Sequence, residues 1–382
     1  MIVEIRGINF NNKGAELMLY AVIQKLSDWD EGNIVAIRPK IGTYKQRSQL
    51  GLYQLITSDR KIPFLNSAIN AIISNIIPQK LRHSLGLLIY PEIDAILDAS
   101  GFAYSDQWNL EQTVEMANLA KKCKREGKKN ILLPQAFGPF DNPQLKKAFI
   151  ELLDNTDLVF PRDKISYKYL MGLETNSSCI KMAPDFTNLV RGHVPEYFDS
   201  TIKRACVIPN TRMLDKTSDD VKSNYLYYLE TCITFFTEIG LKPFILVHDT
   251  TDNSLVLDLK SKFGESLELI VESNPLYIKG ILGKCHVVVS SRFHGLISAL
   301  SQGIPCLATG WSHKYQMLLE DYNCVECLVT SFESQEEIRH HLKLITEEKS
   351  RSELINKISK AGLEQKKLSC DMWSKVYKML TY

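Results

Sequence analysis

Residues 287–305 read V-V-V-S-S-R-F-H-G-L-I-S-A-L-S-Q-G-I-P. Three valines make an apolar strand that stops at Ser290 and Ser291, and helical spacing begins near Gly295. A strand apolar on both faces, followed at once by a helix, is the building unit of an α/β fold. Arg292 and His294 stand at the hand-over. Anionic ligands are held there, by exposed amides and the positive end of the helix dipole. An arginine adds a planar fork matched to phosphate or carboxylate, and a histidine exchanges a proton near neutrality. The same residue types also serve structure, Arg292 by pairing with a nearby acid and His294 by capping its helix. Lys314 follows in G-W-S-H-K-Y, after an apolar run at 305–308, where its loop shares the crevice of the neighbouring strand.

Outward from this stretch, strands are expected at 205–209, 244–247 and 267–271, with helices at 219–237, 275–283 and 295–302. Arg212 follows the first of these strands and His248 ends the second, so both are candidates for the same crevice. Each has a plainer reading, a solvated loop arginine and a strand-closing histidine. In the first half, M-I-V-E-I-R reads as a strand that runs through G-I-N-F-N-N-K-G into A-E-L-M-L-Y-A-V-I-Q-K-L, which has helical spacing. Further strands are expected at 34–37, 95–98, 131–134 and 158–161, and helices at 111–126 and 143–153. The alternation predicts two Rossmann-like α/β domains, 1–190 and 200–382, with a linker in 190–201 and a charged helical tail from 333.

Length agrees: 382 residues favour two domains of about 150 each. Apolar and charged shares of 45% and 24% are ordinary for a globular chain. A net charge of +2 is too balanced to argue for nucleic acid. The 9 cysteines are odd in number and irregularly spaced. Cys324 and Cys327 have the spacing of a zinc half-site, but no second pair completes it, so no metal is expected. No leader or spanning segment is read, which predicts a cytoplasmic protein. The basic run 121–129 closes a helix, where cations suit the carbonyl end. Residues 64–77, an uncharged apolar stretch from Phe64 to Ile77, fit either core packing or a peripheral membrane contact.

On the first-domain side, polar residues follow the strands: Asn11, Asn12 and Glu16, then Asp106 and Gln107, then Gln135. Amides and carboxylates suit sugar hydroxyls, and Trp108 offers a face for stacking. Each is equally at home as a cap or turn residue.

The pattern S-x-R-x-H-G, then A, then G-x-P, then a lysine past the next strand resembles the polysaccharide pyruvyl transferase family. Here these are Ser290, Arg292, His294, Gly295, Ala299, Gly303, Pro305 and Lys314. Other blocks fall in order: Asn12 and Gly14 with Glu16; Gln135 with Gly138 and Pro139; Arg162, Asp163 and Ser166; Pro184 and Asp185. Two positions depart from the family pattern, Ala15 in place of an aspartate and a single Gly101 in place of a glycine run. Both lie on the acceptor side.

The resemblance implies a GT-B-like fold whose two domains face a cleft, acceptor on the first and donor on the second. It implies transfer of pyruvate from phosphoenolpyruvate, the donor substrate, to two hydroxyls of one sugar as a cyclic ketal. His294 and Arg292 are then the catalytic pair. Arg292, Lys314, Arg212, Ser290, Ser291, Gly295 and His248 are donor-side candidates. Asn11, Asn12, Glu16, Asp106, Gln107 and Gln135 are acceptor-side candidates. The donor carries phosphate and carboxylate close together, and its methylene carbon must be protonated, which calls for converging cations and a general acid. No cofactor is implied. The acceptor is a sugar or a lipid-linked oligosaccharide, which suggests work at the inner membrane face. A GT-B glycosyltransferase using a nucleotide sugar and a non-catalytic sugar-binding member of an assembly complex are the alternatives.

Overall fold

The computed structural model describes residues 1–56, 72–73, 76–175, 177–332 and 334–381. The chain divides into two compact units. Unit 1 comprises Met1–Phe10, Met18–Pro184 and Cys370–Tyr382; unit 2 comprises Asn11–Leu17 and Asp185–Ser369. The division thus falls at Pro184 rather than within 190–201. That segment packs on unit 2: His193 N donates to Leu276 O, and a Cβ on Gly192 would lie 2.4 Å from Gly280 N. The charged tail is two helices, Gln335–Thr346 and Glu348–Thr381, and the last stretch of the second belongs with unit 1. Trp373 and Tyr377 there lie against Trp29, at ring separations of 5.8 and 5.1 Å.

Unit 1 is built on a parallel sheet of eight strands. They are β1 (Ile2–Arg6), β2 (Ile34–Ile37), β3 (Tyr53–Leu55), β4 (Leu87–Leu88), β5 (Ala95–Asp98), β6 (Phe102–Tyr104), β7 (Lys129–Phe137) and β8 (Leu158–Pro161). Their order is β4-β3-β2-β1-β5-β7-β6, with β8 on β7. Val3 registers with Val35 on one side and Ala95 on the other. Strands buried on both faces need continuous apolar runs, which I-V-A-I and A-I-L-D supply. Phe149 packs against Phe140, Tyr104 and Phe137 at 4.6, 5.5 and 5.6 Å between ring centroids. Truncating such a buried ring costs about 3–5 kcal/mol. The basic run ends the helix Leu110–Arg125 as its spacing predicts: Lys124 Nζ donates to Asp154 O at 2.6 Å and Lys122 lies over the Tyr90 ring.

Unit 2 is a five-stranded parallel sheet. Its strands are β9 (Arg204–Ile208), β10 (Lys242–Val247), β11 (Glu268–Val271), β12 (Val287–Ser290) and β13 (Cys306–Ala308), in the order β11-β10-β9-β12-β13. The chain builds outward from β9 in one direction and then restarts on the other side with β12. Strand order therefore reverses between β9 and β12, where Ile208 and Ser290 register at the carboxyl ends. Open α/β sheets bind ligands at that kind of point.

All nine cysteines are free thiols, with Cys324 and Cys327 buried in the unit 2 core. Residues 64–77 lie, apart from 72, 73, 76 and 77, outside the described residues. Among the described residues no helix is long and apolar enough to cross a membrane.

Candidate functional site

The turn after β12 is tightly prepared. Ser290 Oγ accepts from Arg292 N at 3.0 Å and donates to Arg292 O at 3.1 Å. Ser291 Oγ lies 2.7 Å from Tyr225 Oη and 2.5 Å from Thr309 Oγ1. Its carbonyl accepts from Asn210 Nδ2 and Tyr315 Oη. Both serines are fully buried. They hold the turn and do not present a hydroxyl to a ligand, which corrects their donor-side assignment. Gly295 is likewise a packing residue: a Cβ there would lie 2.8 Å from Ile208 Cδ1 and from Ser290 Oγ.

This scaffold sets Arg292 just before the helix Phe293–Leu300. Its guanidinium forks onto Asp252, Nε to Oδ2 at 2.9 Å and Nη2 to Oδ1 at 2.5 Å. Nη1 reaches Asp249 Oδ2 at 3.4 Å. Asp252 is fully buried and also accepts from Thr211 N. The pairing of Arg292 with an acid, open in the sequence, is therefore realised. It fixes one edge of the guanidinium.

His294 lies two residues on, its side chain 13% exposed. One side of its ring meets the loop that opens the helix α1 (Lys13–Trp29). A Cβ on Gly14 would fall 2.3 Å from Nδ1, so only glycine leaves the imidazole its place. Asn12 holds that loop. Its Oδ1 accepts from Gly14 N at 2.9 Å and Ala15 N at 3.3 Å, and Asn12 bridges to Asp249. The N-x-G block thus caps a helix and makes a cradle for His294, and Asn12 is a cap instead of a sugar ligand. Ala15, where the family pattern has aspartate, is buried in the same turn. On the other side of the ring, Nε2 faces Asp185 Oδ2 at 3.5 Å.

His248 ends β10 close to this group. It is buried, and among the described residues its Nδ1 has no hydrogen-bond partner. Burial, then the neighbouring Arg292, His294 and Lys13, hold it well below the usual imidazole range. It is a neutral ring. Glu16 is pushed up by burial against the opposing pull of Lys13, whose Nζ is 2.7 Å away.

Lys314 opens the helix Lys314–Asp321, and its Nζ rests over Trp311, Tyr315 and Phe293, at 4.6, 5.4 and 5.7 Å from the centroids. The Phe293 ring also touches His294 at 5.5 Å, so the lysine is a neighbour of the histidine. Arg212 is half exposed and paired with Asp215 at 2.6 Å, in its plainer reading.

The unit 1 candidates divide. Gln135 is fully buried on β7 and donates to Asp98 Oδ2 at 3.0 Å. Asp106 accepts from Asp141 N and Asn142 N. Both are structural, which corrects their assignment. Gln107 and Asn11 are exposed, Asn11 belonging with unit 2. Trp108 stands edge-on to Phe102 at 6.1 Å. The R-D-x-x-S block is also architecture: Asp163 caps the helix Lys164–Met171, and Ser166 Oγ accepts from Phe137 N. Sequence reasoning missed Asp252 and Lys279 and gave Asp185 no role. The acid pair around Thr250 and Thr251 directly after His248 was the one local signal.

The family model of the polysaccharide pyruvyl transferases matches residues 12–313. The chain belongs to that family. Every block discussed above from Asn12 to His313 falls inside the match. Among solved structures, the chain is similar to Alr3699/HepE of Anabaena in complex with UDP and glucose, at 9% identity, TM-score 0.59, covering 100% of this chain and 99% of that one. It is similar to the UDP-GlcNAc 2-epimerase of Neisseria meningitidis bound to UDP-GlcNAc, at 10% identity, TM-score 0.60, covering 99% of each. A glycosyltransferase of Rickettsia africae matches at 12% identity, TM-score 0.57, covering 99% and 98%. At these identities the likeness is one of fold, and this pyruvyl transferase family member has the GT-B-like fold its sequence predicts.

Proposed function

We propose that this protein transfers a pyruvyl group from phosphoenolpyruvate to two hydroxyls of one sugar of a cell-surface polysaccharide or its precursor, forming a ketal. The observation that carries the reading is the family match together with Arg292 and His294 side by side at the point where the unit 2 strand order reverses. The reaction converts donor and diol into ketal and inorganic phosphate. One hydroxyl proton ends on the methylene carbon, which becomes the ketal's methyl group. The other ends on the departing phosphate. His294 serves the proton transfer to carbon, a step worth roughly 10²–10⁴-fold when the acid is positioned. Arg292 is steadied by Asp252, and its Nη1 edge, which rests against Asp249 at 3.4 Å with Thr251 at 3.3 Å from Nη2, turns to the carboxylate or phosphate. Lys314 adds a second positive charge, and neutral His248 a hydrogen bond. The acceptor is a sugar or a lipid-linked oligosaccharide, met in the cytoplasm.

Mass spectrometry of the glycan made with and without the protein tests this. The expected result is a mass gain of one pyruvyl ketal per acceptor, with inorganic phosphate released from phosphoenolpyruvate. Release of a nucleotide from a sugar nucleotide, with no ketal, overturns it. Flotation of the protein with liposomes carrying the acceptor tests the lipid-linked form.

A further inference from the structure

The inner side of His294 is as carefully built as its outer side, and the scheme above leaves it unused. Among the described residues Nε2 meets no hydrogen-bond partner, and Asp185 Oδ2 stands 3.5 Å from it. Asp185 is 2% exposed. Its Oδ1 accepts from Thr187 N at 2.9 Å and Thr187 Oγ1 at 2.5 Å, which fixes the carboxylate plane and leaves Oδ2 turned to the ring. Lys279, fully buried on the helix Pro275–Leu282, donates from Nζ to Thr187 O at 2.6 Å. A buried lysine thus holds the carbonyl of Thr187, whose N–H and hydroxyl hold the carboxylate that faces the histidine.

Charged and titratable groups surround this line: Lys366 acts on Lys279, and Lys314 lies over the Phe293 ring that meets His294. Arg292 and the neutral His248 lie near the ring, Lys13 lies near His248, and Tyr322 lies near Asp185. Gly14 presents no side chain to Nδ1. The ring packs so closely on the Gly14 backbone that a Cβ there would fall 2.3 Å from that nitrogen.

We propose that Asp185 is the positioning residue of His294: its carboxylate accepts from Nε2–H, fixes that tautomer, and leaves Nδ1, over Gly14, as the nitrogen that moves protons. The tautomer stands on geometry alone; its use in turnover rests on the pyruvyl-transfer reading. In that reaction Nδ1 takes a proton from solvent when the donor binds, and the imidazolium so formed gives it to C3 of phosphoenolpyruvate. C2 then bonds the first sugar oxygen, whose proton returns to Nδ1. The C2–O bond to phosphate breaks with its electron pair on phosphate. The second hydroxyl closes the ketal and its proton goes to phosphate. Nδ1 returns its proton to solvent, so the enzyme ends as it began, and Asp185 offsets the ring's positive charge throughout.

The test is long-range proton–nitrogen NMR of the full chain labelled with nitrogen-15 histidine, without substrate, the His294 signals assigned by their loss in His294→Gln. The wild type should show a protonated Nε2 and a bare Nδ1. In Asp185→Asn the amide oxygen still serves Thr187 N, while its NH₂ faces Nε2 as a donor, so the tautomer should reverse to Nδ1–H. A wild-type Nδ1–H pattern, or the same tautomer in both folded proteins, overturns the proposal. If Asp185→Asn does not fold, the wild-type pattern alone decides. With phosphoenolpyruvate and acceptor, the variant should lose about 10²-fold in kcat while either KM moves by less than about threefold. Nε2–H in the wild type with no pyruvyl transfer by any form supports the couple and overturns the reaction.

Discussion

The strand ends of the two units make opposite use of polar residues. In unit 1 the chain order reverses between β1 and β5, and Asp98 ends β5. That carboxylate accepts from Ser100 Oγ at 2.5 Å, Tyr104 Oη at 2.9 Å and Gln135 Nε2 at 3.0 Å. Among the described residues Gln135 Oε1 is the one polar atom of the cluster left without a hydrogen-bond partner. In unit 2, at the corresponding ends of β12 and β10, His294 Nε2 and His248 Nδ1 are both buried without a hydrogen-bond partner among the described residues. Leaving such an atom unsatisfied costs about 1–3 kcal/mol. A cluster that satisfies itself is scaffolding. Under the pyruvyl-transfer proposal, His248 Nδ1 carries this cost for a ligand at the reversal point, while Nε2 of His294 answers to Asp185.

Stability should separate the two regions most widely. Lys279 is pushed down to about 7 by burial, with Asp185 pulling the other way. An unfolded lysine titrates near 10.4. Between these values the unfolded chain binds more protons than the native one, so this group makes stability rise with pH from about 7 to 10, and its full cost is present below 7. Denaturant midpoints measured from pH 6 to 9.5 should therefore climb more steeply in the wild type than in Lys279→Met. Parallel curves would mean that the ammonium is not held in a desolvated site.

Turnover comes next. His294→Ala should lose at least ~10²-fold at saturating donor with little change in Tm. Unchanged turnover would remove the histidine from proton transfer. Asp98→Ala should do the reverse. It leaves the Tyr104 hydroxyl and the Gln135 amide without their acceptor, at a cost of about 1–3 kcal/mol, and leaves the donor KM where it was. A raised donor KM with an unchanged Tm would erase the contrast between the regions.

Both sheets could be read from the chain because a strand buried on two faces must be continuously apolar, as V-V-V-S and A-I-L-D are. Arg292 and His294 were legible for a related reason, since a strand-to-helix junction has few places to put a side chain. Asn12, Asp106 and Gln135 carry structural hydrogen bonds that could not be foreseen, because amides and carboxylates that cap helices and loops look the same in sequence as those that bind sugars. The line from Lys279 through Asp185 to His294 was invisible. Its members come from three distant segments, and no spacing rule links them. The unit boundary was set too late because a glycine-bearing segment looked like a linker, whereas Gly192 is there so that backbone can cross backbone.

Gly14 tests the cradle itself. Its φ is not in the left-handed region, so alanine leaves the backbone unstrained, but its Cβ overpacks the ring and should lower Tm by the equivalent of about 1–3 kcal/mol. The added Cβ also displaces His294. Misplacing a catalytic group by about 1 Å costs up to roughly 10²-fold, so Gly14→Ala should lose about 10- to 100-fold in kcat without unfolding. Full activity would show that the imidazole works from another position.

Lys314 should give the smallest change, and its surroundings say why. The ammonium lies over three aromatic rings, the nearest at 4.6 Å, so part of its charge is already met by their π faces. A phosphate or carboxylate that reaches it gains a charge-assisted contact worth about 1.5–3 kcal/mol, less whatever ring contact is given up. Lys314→Met keeps the stem against Trp311 and removes only the charge. The donor KM should then rise about tenfold, the lower end of that range, while the acceptor KM stays in place. Kinetics with both substrates varied reads the two separately. Equal rises in both constants would mean that the rings and not the charge shape the site. No rise in either would make Lys314 a lid on its own aromatic cluster and leave Arg292 to hold the donor.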